Sequence, residues 1–363
     1  MRKKNSVLTC VMAVLFLGFF LLGLGMKNQE YSFTERRKLK EFPTVTWNAV
    51  LSGRFMNQFE DYVLDHIPFR DQFRAVKVWT ETEILGKENY HDIYVENGYA
   101  AALVYPMNEE SMNNAVSVME SVYDTFLKET DAKVYFSMIP DKNYFLAKES
   151  GQLSMDYEEF EDRMVESAPF LEYIPIMELL SIEDYYRTDS HWRQECITDL
   201  AKKLGQEMGA ELSGQYEQII LETPFRGVYS GEWLLPLEED EIVCLTNPVV
   251  EHLQVYDYEN NQEKPVYDYE KEHGNDMYEI FLGGSLSLVT IENPNADKEK
   301  ELILFRDSFG SSIAPLLAEG YSKVTLVDLR YLRWERLNQF IDFTDQDVLF
   351  LYSTSMLNHN ELK

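Results

Sequence analysis

Two periods run through the apolar positions of this chain. Lys133–Ile139, Leu302–Phe305, Lys323–Asp328 and Asp347–Tyr352 are compact apolar runs, written like strands buried on both faces. Between them, 109–130, Asp156–Tyr173, Arg193–Gly209 and Ser308–Glu319 carry helical spacing, while Ile174–Leu180 fits a strand or a connector. Asp92–Tyr99 alternates and then turns, as a strand entering a hairpin does. Strands alternating with helices predict a mainly parallel α/β sheet, whose ligands lie at the carboxyl ends of its strands.

The two flanking patterns differ. Met1-Arg2-Lys3-Lys4 precedes an uncharged apolar run, Val7–Met26, long enough to span a bilayer as a helix. Basic residues before it favour an N-terminus inside and a body outside. A cleavable signal peptide is the competing expectation, with Gly23-Leu24-Gly25 as its small-residue site. Lys27–Thr46 is a polar linker, and Trp47–Leu85 has amphipathic helical character ending at Gly86. His66 sits in a turn where Pro68 stops the helix, and is expected to pack. The organisation predicted is therefore a membrane anchor or signal over 1–26, a linker and helical region over 27–90, and an α/β domain over 91–363. Within that domain, 212–290 is acidic, Tyr-rich and broken by Gly227, Gly231, Pro236 and Pro265, and is expected to be a β-rich insertion.

At 363 residues and 45% hydrophobic, the chain can bury a full core. Its formal charge of −30 becomes −33 once Arg2, Lys3 and Lys4 are set aside, so nucleic acid is excluded as a partner on charge. Outside the apolar run only Cys196 and Cys244 remain, which is no disulfide framework, and whether they pair stays open. No paired histidines at helical ligand spacing and no Cys-x-x-Cys or phosphate loop appear, so neither metal nor cofactor is expected. Glu238-Glu239-Asp240-Glu241 is expected to be a solvated loop, with calcium binding a weaker alternative.

Candidate chemistry lies in two places. Leu302 through Gly310 delivers Asp307 and Ser308 from a buried strand to a helix start, which is how a nucleophilic serine is presented. Tyr185-Tyr186-Arg187-Thr188-Asp189-Ser190-His191-Trp192 places an Asp two residues before a His, and no other of the six histidines has one there. Ser308 as nucleophile, His191 as its base and Asp189 as orienting partner make a complete set. A spacing of two suits an extended or turn segment, with Ser190 between the two and pointing away from them. The blander alternative is that Asp307, Ser308, Asp189 and Ser190 cap helices. For the oxyanion of acyl transfer, Ser308 offers its own N–H, and Gly283, Gly284 and Ser285 are candidates for a second donor.

Thr188-Asp189-Ser190-His191-Trp192 resembles the signature of the bacterial DHHW family, with Ser190 standing where that pattern has its first His. Glu35-Arg36-Arg37, Phe42-Pro43, Phe59-Glu60-Asp61-Tyr62, Asp65 through Asp71 and Leu85-Gly86-Lys87 resemble the family's N-terminal region. Phe281-Leu282-Gly283-Gly284 and Leu302 through Tyr331 resemble its C-terminal part. Through that family the chain is similar to the SGNH hydrolases of the alginate O-acetyltransferase group, in which Asp-x-His precedes the serine. Ser285 stands where that group commonly has Asn. The resemblance implies a three-layer SGNH- or flavodoxin-like, mainly parallel sheet with its β-rich insertion, here behind an N-terminal transmembrane helix. It also implies an extracytoplasmic acyltransferase or esterase acting on O-acetyl groups of a cell-envelope polysaccharide. Its partners would be that glycan, an acyl donor or a membrane acyl-transfer partner, and the membrane itself. The rival expectation is a non-catalytic, membrane-anchored surface protein that binds glycan or an envelope partner.

Overall fold

The structure, a computed structural model, describes residues 2–25, 29–32, 34–296 and 299–362. The chain divides into two compact units, residues 1–90 with 230–236, and 91–229 with 237–363.

The smaller unit begins with helix α1 (Arg2–Gly25), which leaves Val7, Leu8, Val11, Val14, Leu15 and Phe16 exposed. Met26, where the apolar run ends, lies outside the described residues. Among the described residues no helix is long and apolar enough to cross a membrane. The expected amphipathic stretch 47–85 forms separate helices, chiefly α2 (Arg54–Asp65) and α3 (Arg70–Trp79), because Pro68 cannot continue α2. The motif residues of this region hold one another. Arg37 donates to both Asp65 oxygens at 2.8 and 2.5 Å, and Arg70 to Glu35 at 2.6 and 3.0 Å. His66 packs against Tyr62, ring to ring at 4.3 Å.

In the larger unit, the Asn97-Gly98 turn joins β1 (Ile93–Glu96) to β2 (Tyr99–Ala102) as a hairpin. Both turn residues have positive φ, which the asparagine and the glycine accept. The predicted apolar runs become β3 (Lys133–Ile139), and later β10 (Glu301–Arg306), β11 (Lys323–Val327) and β12 (Asp347–Ser353). Between them come β4 (Glu172–Tyr173), β5 (Glu217–Ile220), β6 (Val243–Thr246), β7 (Gln254–Asp257), β8 (Gln262–Lys264) and β9 (Leu288–Glu292). The eight-stranded sheet runs β8-β7-β9-β11-β10-β12-β3-β4. Its β11 to β4 half is parallel, and β8, β7 and β9 extend it by antiparallel pairing. The segment 212–290 is therefore only in part a separate excursion. β5 and β6 form their own ribbon, whereas β7, β8 and β9 belong to the central sheet.

Alternate side chains of the buried strands feed two cores, which makes three layers. On one face Leu302, Leu304, Leu349 and Leu351 pack with Leu200 and Leu204 of α4 (Thr198–Glu207) and with Ile313 and Leu317 of α5 (Gly310–Leu317). On the other, Ile303, Phe305, Val348 and Phe350 meet Met119, Phe160 and Met164, and Phe305 stacks on Phe350 at 4.5 Å. Each such side chain buried contributes roughly 1.5–3 kcal/mol. After β10 the chain turns to α5 on the first face. After β12 it turns to Met356 and Leu357 on the second. Neighbouring strands whose connections diverge open a crevice at their carboxyl ends. Ser308 stands there.

Candidate active site

Asp307 settles how the end of β10 is used. Its Oδ1 accepts the Phe309 N–H at 3.0 Å, and its Oδ2 accepts the Ser353 N–H of β12 at 2.8 Å. Asp307 thus ties the turn that enters α5 to the end of β12, and the Ser308 hydroxyl is left for other work. The Ser308 Oγ lies 2.7 Å from His191 Nε2, and His191 Nδ1 lies 2.5 Å from Asp189 Oδ1. A carboxylate only accepts, so Nδ1 carries the ring proton and the bare Nε2 accepts from Ser308. Asp189 does not cap the helix that follows Trp192: its Oδ1 also accepts the His191 N–H at 3.2 Å, and its Oδ2 accepts at 2.8 Å the N–H of Val228, the first residue of the short helix Val228–Trp233. The structure therefore brings Ser308, His191 and Asp189 into one hydrogen-bonded line across 117 residues of sequence.

The Asp189–His191 segment is not at a strand end. It is a turn closed by a bridge between Tyr185 and Trp192 and by the Tyr186 N–H donating to the His191 carbonyl. Asp240 holds this turn from one side, its carboxylate accepting from the Arg187 N–H at 2.7 Å, the Thr188 N–H at 2.8 Å and the Thr188 hydroxyl at 2.5 Å. Burial raises the Asp240 carboxyl from its ordinary value, and these donors oppose the shift. The expectation of a solvated acidic loop fails at this residue, although Glu238, Glu239 and Glu241 are exposed. Gly227 closes the turn from another side and donates its N–H to Thr188 Oγ1 at 2.8 Å. A Cβ at 227 would sit 2.3 Å from Asp189 Cβ, so only glycine fits.

Tyr278 lies flat on the His191 ring, with centroids 3.8 Å apart and planes within 10°. Its hydroxyl reaches Ser312 Oγ at 3.0 Å, where the Trp192 indole N–H also donates at 2.8 Å. Burial lifts the Tyr278 phenol well above its ordinary value, so it stays protonated. Ser190 departs from expectation. Its Oγ lies 3.5 Å from both Asp189 Oδ1 and His191 Nδ1, turned toward the pair and at the outer limit of hydrogen bonding.

Among the described residues, the Ser308 N–H has no hydrogen-bond acceptor and is free for an oxyanion. Gly284 does not serve as the second donor, since its N–H is taken by the Phe281 carbonyl at 3.2 Å. Gly283 packs toward Lys264, and Ser285 is exposed. The link between that loop and the serine is Arg306. Wholly buried, it donates to the Leu286 carbonyl at 3.2 Å and the Asp307 carbonyl at 3.3 Å. Cys196 and Cys244 are both free thiols. Among the described residues no group of His, Cys, Asp or Glu is arranged to hold a metal.

This combination of a mostly parallel sheet between two layers with a serine, a histidine and an aspartate in one hydrogen-bonded line defines a three-layer α/β architecture with a candidate active site at the carboxyl ends of its strands. The chain is similar in fold to a DHHW family protein from Eubacterium siraeum DSM 15702, with TM-score 0.59 and 17% identity over 73% of this chain and 91% of that one. It is similar to PatB1 of Bacillus cereus, solved with a sulfonyl adduct, with TM-score 0.59 and 16% identity over 75% and 99%. A weaker likeness is to the O-acetyltransferase domain of Pseudomonas putida AlgJ, with TM-score 0.47 and 12% identity over 74% and 92%. No protein-family model matches the sequence, and no curated protein does. At these identities the likeness is one of fold, and the first of these structures carries the DHHW family name that the motifs resemble.

Proposed function

We propose that this protein is a serine-dependent O-acyltransferase or esterase that moves acetyl groups on a cell-envelope polysaccharide. The observation that carries it is the line Ser308–His191–Asp189, with contacts of 2.7 and 2.5 Å. In this reading Ser308 Oγ attacks the acyl carbonyl as its proton passes to His191 Nε2, and Asp189 stabilises the imidazolium. The Ser308 N–H receives the oxyanion. Collapse returns the proton to the departing oxygen and leaves the acyl group on Ser308. A glycan hydroxyl or water then attacks that ester, with His191 taking its proton in turn. Proton transfer of this kind contributes roughly 10²–10⁴ in rate, and each oxyanion donor roughly 10²–10³. Tyr278, flat on the imidazole, would hold the ring's rotation.

The choice of acetyl and of an envelope glycan rests on the resemblance of the motifs. The placement outside the cytoplasm, behind an N-terminal anchor or a cleaved signal, rests on the sequence alone, on the apolar run 7–26 and the basic residues before it. Turnover of a chromogenic acetyl ester by the full chain, lost in Ser308→Ala, is the expected outcome. A folded wild-type chain with no turnover on acetyl esters or acetylated glycan would favour the binding-protein alternative.

A further inference from the structure

Lys142 is buried to 2% exposure directly after β3, yet it reaches no carboxylate as an ion pair among the described residues. All three of its ammonium protons go to main-chain carbonyls of one turn: Tyr186 at 2.7 Å, Arg187 at 3.1 Å and Asp189 at 3.0 Å. The same peptide units donate in the opposite direction. The Arg187 and Thr188 N–H groups go to Asp240. Two consecutive peptide dipoles are thus strung between a buried cation and a buried anion, which compensate each other through the backbone. The third carbonyl belongs to the Asp189–Ser190 peptide, midway between the two working side chains.

On that geometry, and resting on the Ser308–His191–Asp189 reading above, we infer that Lys142 is a positioning residue that holds the Asp189–His191 turn in register with Ser308. The groups facing its ammonium are Asp189 and Asp240, the rings of Tyr99 and Tyr229 at 5.5 and 5.4 Å, and Arg187, itself stacked on Tyr99. The neighbouring Asp141 is turned away, to Tyr157 and Thr354. Burial pulls the Lys142 ammonium down to about 7 against the pull of Asp240 and Asp189, a cost that a purely space-filling side chain would not carry. A registry device of this kind acts through geometry, and a misplacement of about 1 Å costs on the order of 10²-fold in rate.

The test uses the full chain in detergent, with phenylmethanesulfonyl fluoride as the probe. Ser308 Oγ forms the bond to sulfur, fluoride leaves and the hydroxyl proton passes to His191. In a folded Lys142→Met variant, labelling of Ser308 is expected to slow about 10²-fold. The far-downfield proton resonance of the His191–Asp189 hydrogen bond should weaken or move upfield with it. Lys142→Arg, which keeps N–H donors, should recover labelling to within about tenfold of wild type. A merely structural lysine would change the melting temperature and leave the resonance of the folded protein in place. Should Lys142→Met not fold, Lys142→Gln carries the same comparison. Unchanged labelling and an unchanged resonance would overturn the inference. Absence of Ser308 labelling in the wild type would instead sink the nucleophile reading, while the resonance would still report whether Lys142 holds the turn.

Discussion

Replacing Gly227 by alanine perturbs the site without touching any of its side chains. The new Cβ would lie 2.3 Å from Asp189 Cβ and 2.4 Å from the Thr188 carbonyl oxygen, against about 3.5–4.0 Å for relaxed carbon contacts. The two segments must therefore part by about 1 Å or more. Two hydrogen bonds cross that gap at 2.8 Å each, Gly227 N–H to Thr188 Oγ1 and Val228 N–H to Asp189 Oδ2. Losing one neutral and one charge-assisted bond costs about 2–4 kcal/mol. The same displacement moves Asp189, the group that orients His191, and should lower turnover on the order of 10²-fold. Backbone strain is not the cause, since Gly227 does not have the left-handed conformation that alanine avoids. Thermal unfolding and turnover of a chromogenic acetyl ester measure the two effects on one preparation. An alanine variant with wild-type melting and wild-type turnover would refute the claim that the turn is clamped here.

The remaining expectations follow from single contacts. Tyr278→Leu, which removes the ring from His191, should lower turnover about tenfold, whereas Tyr278→Phe keeps the stack and should stay within a few-fold, both read as kcat on the same ester. In the smaller unit, Arg37 holds the Asp65 carboxyl down at about 2. A depressed carboxylate stabilises fully above its ordinary value near 3.8 and loses that contribution as pH falls through about 2, so the melting difference between wild type and Asp65→Asn should be full at pH 6 and most of it gone at pH 2. Burial pushes the Cys196 thiol up to about 11 and Cys244 to about 12, so iodoacetamide at pH 8 should spare both in the folded protein and alkylate both after denaturation without reductant.

The serine and the Asp-x-His pair were legible because each sits in a local pattern: an apolar strand running into a helix start, and a spacing that suits a turn. The capping alternative could be judged only in three dimensions. Asp307 accepts the main-chain N–H groups around the turn and Ser308 does not, and nothing in the order of two adjacent polar residues says which. Lys142 and Asp240 went unseen for a different reason. Their partners lie 47 and 52 residues away, and a buried charge compensated through peptide groups leaves no periodic trace. Asp240 was also masked by three exposed acids around it. Gly227 was visible only as punctuation, and Tyr278 only as one of many tyrosines. The strands β7 and β8 are too short to show a period, and they join the main sheet because its β9 edge offers unpaired backbone groups.

The central claim is that Ser308 carries the acyl group in transit. The most direct measurement is acid quenching of the full chain during turnover of an activated acetyl ester, followed by peptide mass mapping. The account predicts one acetyl group on the peptide containing Ser308, its formation slowed in His191→Ala about as much as turnover is, and no acetyl there in Ser308→Ala. Turnover that persists in Ser308→Ala, or an acetyl group that maps to another residue in the wild type, would contradict it.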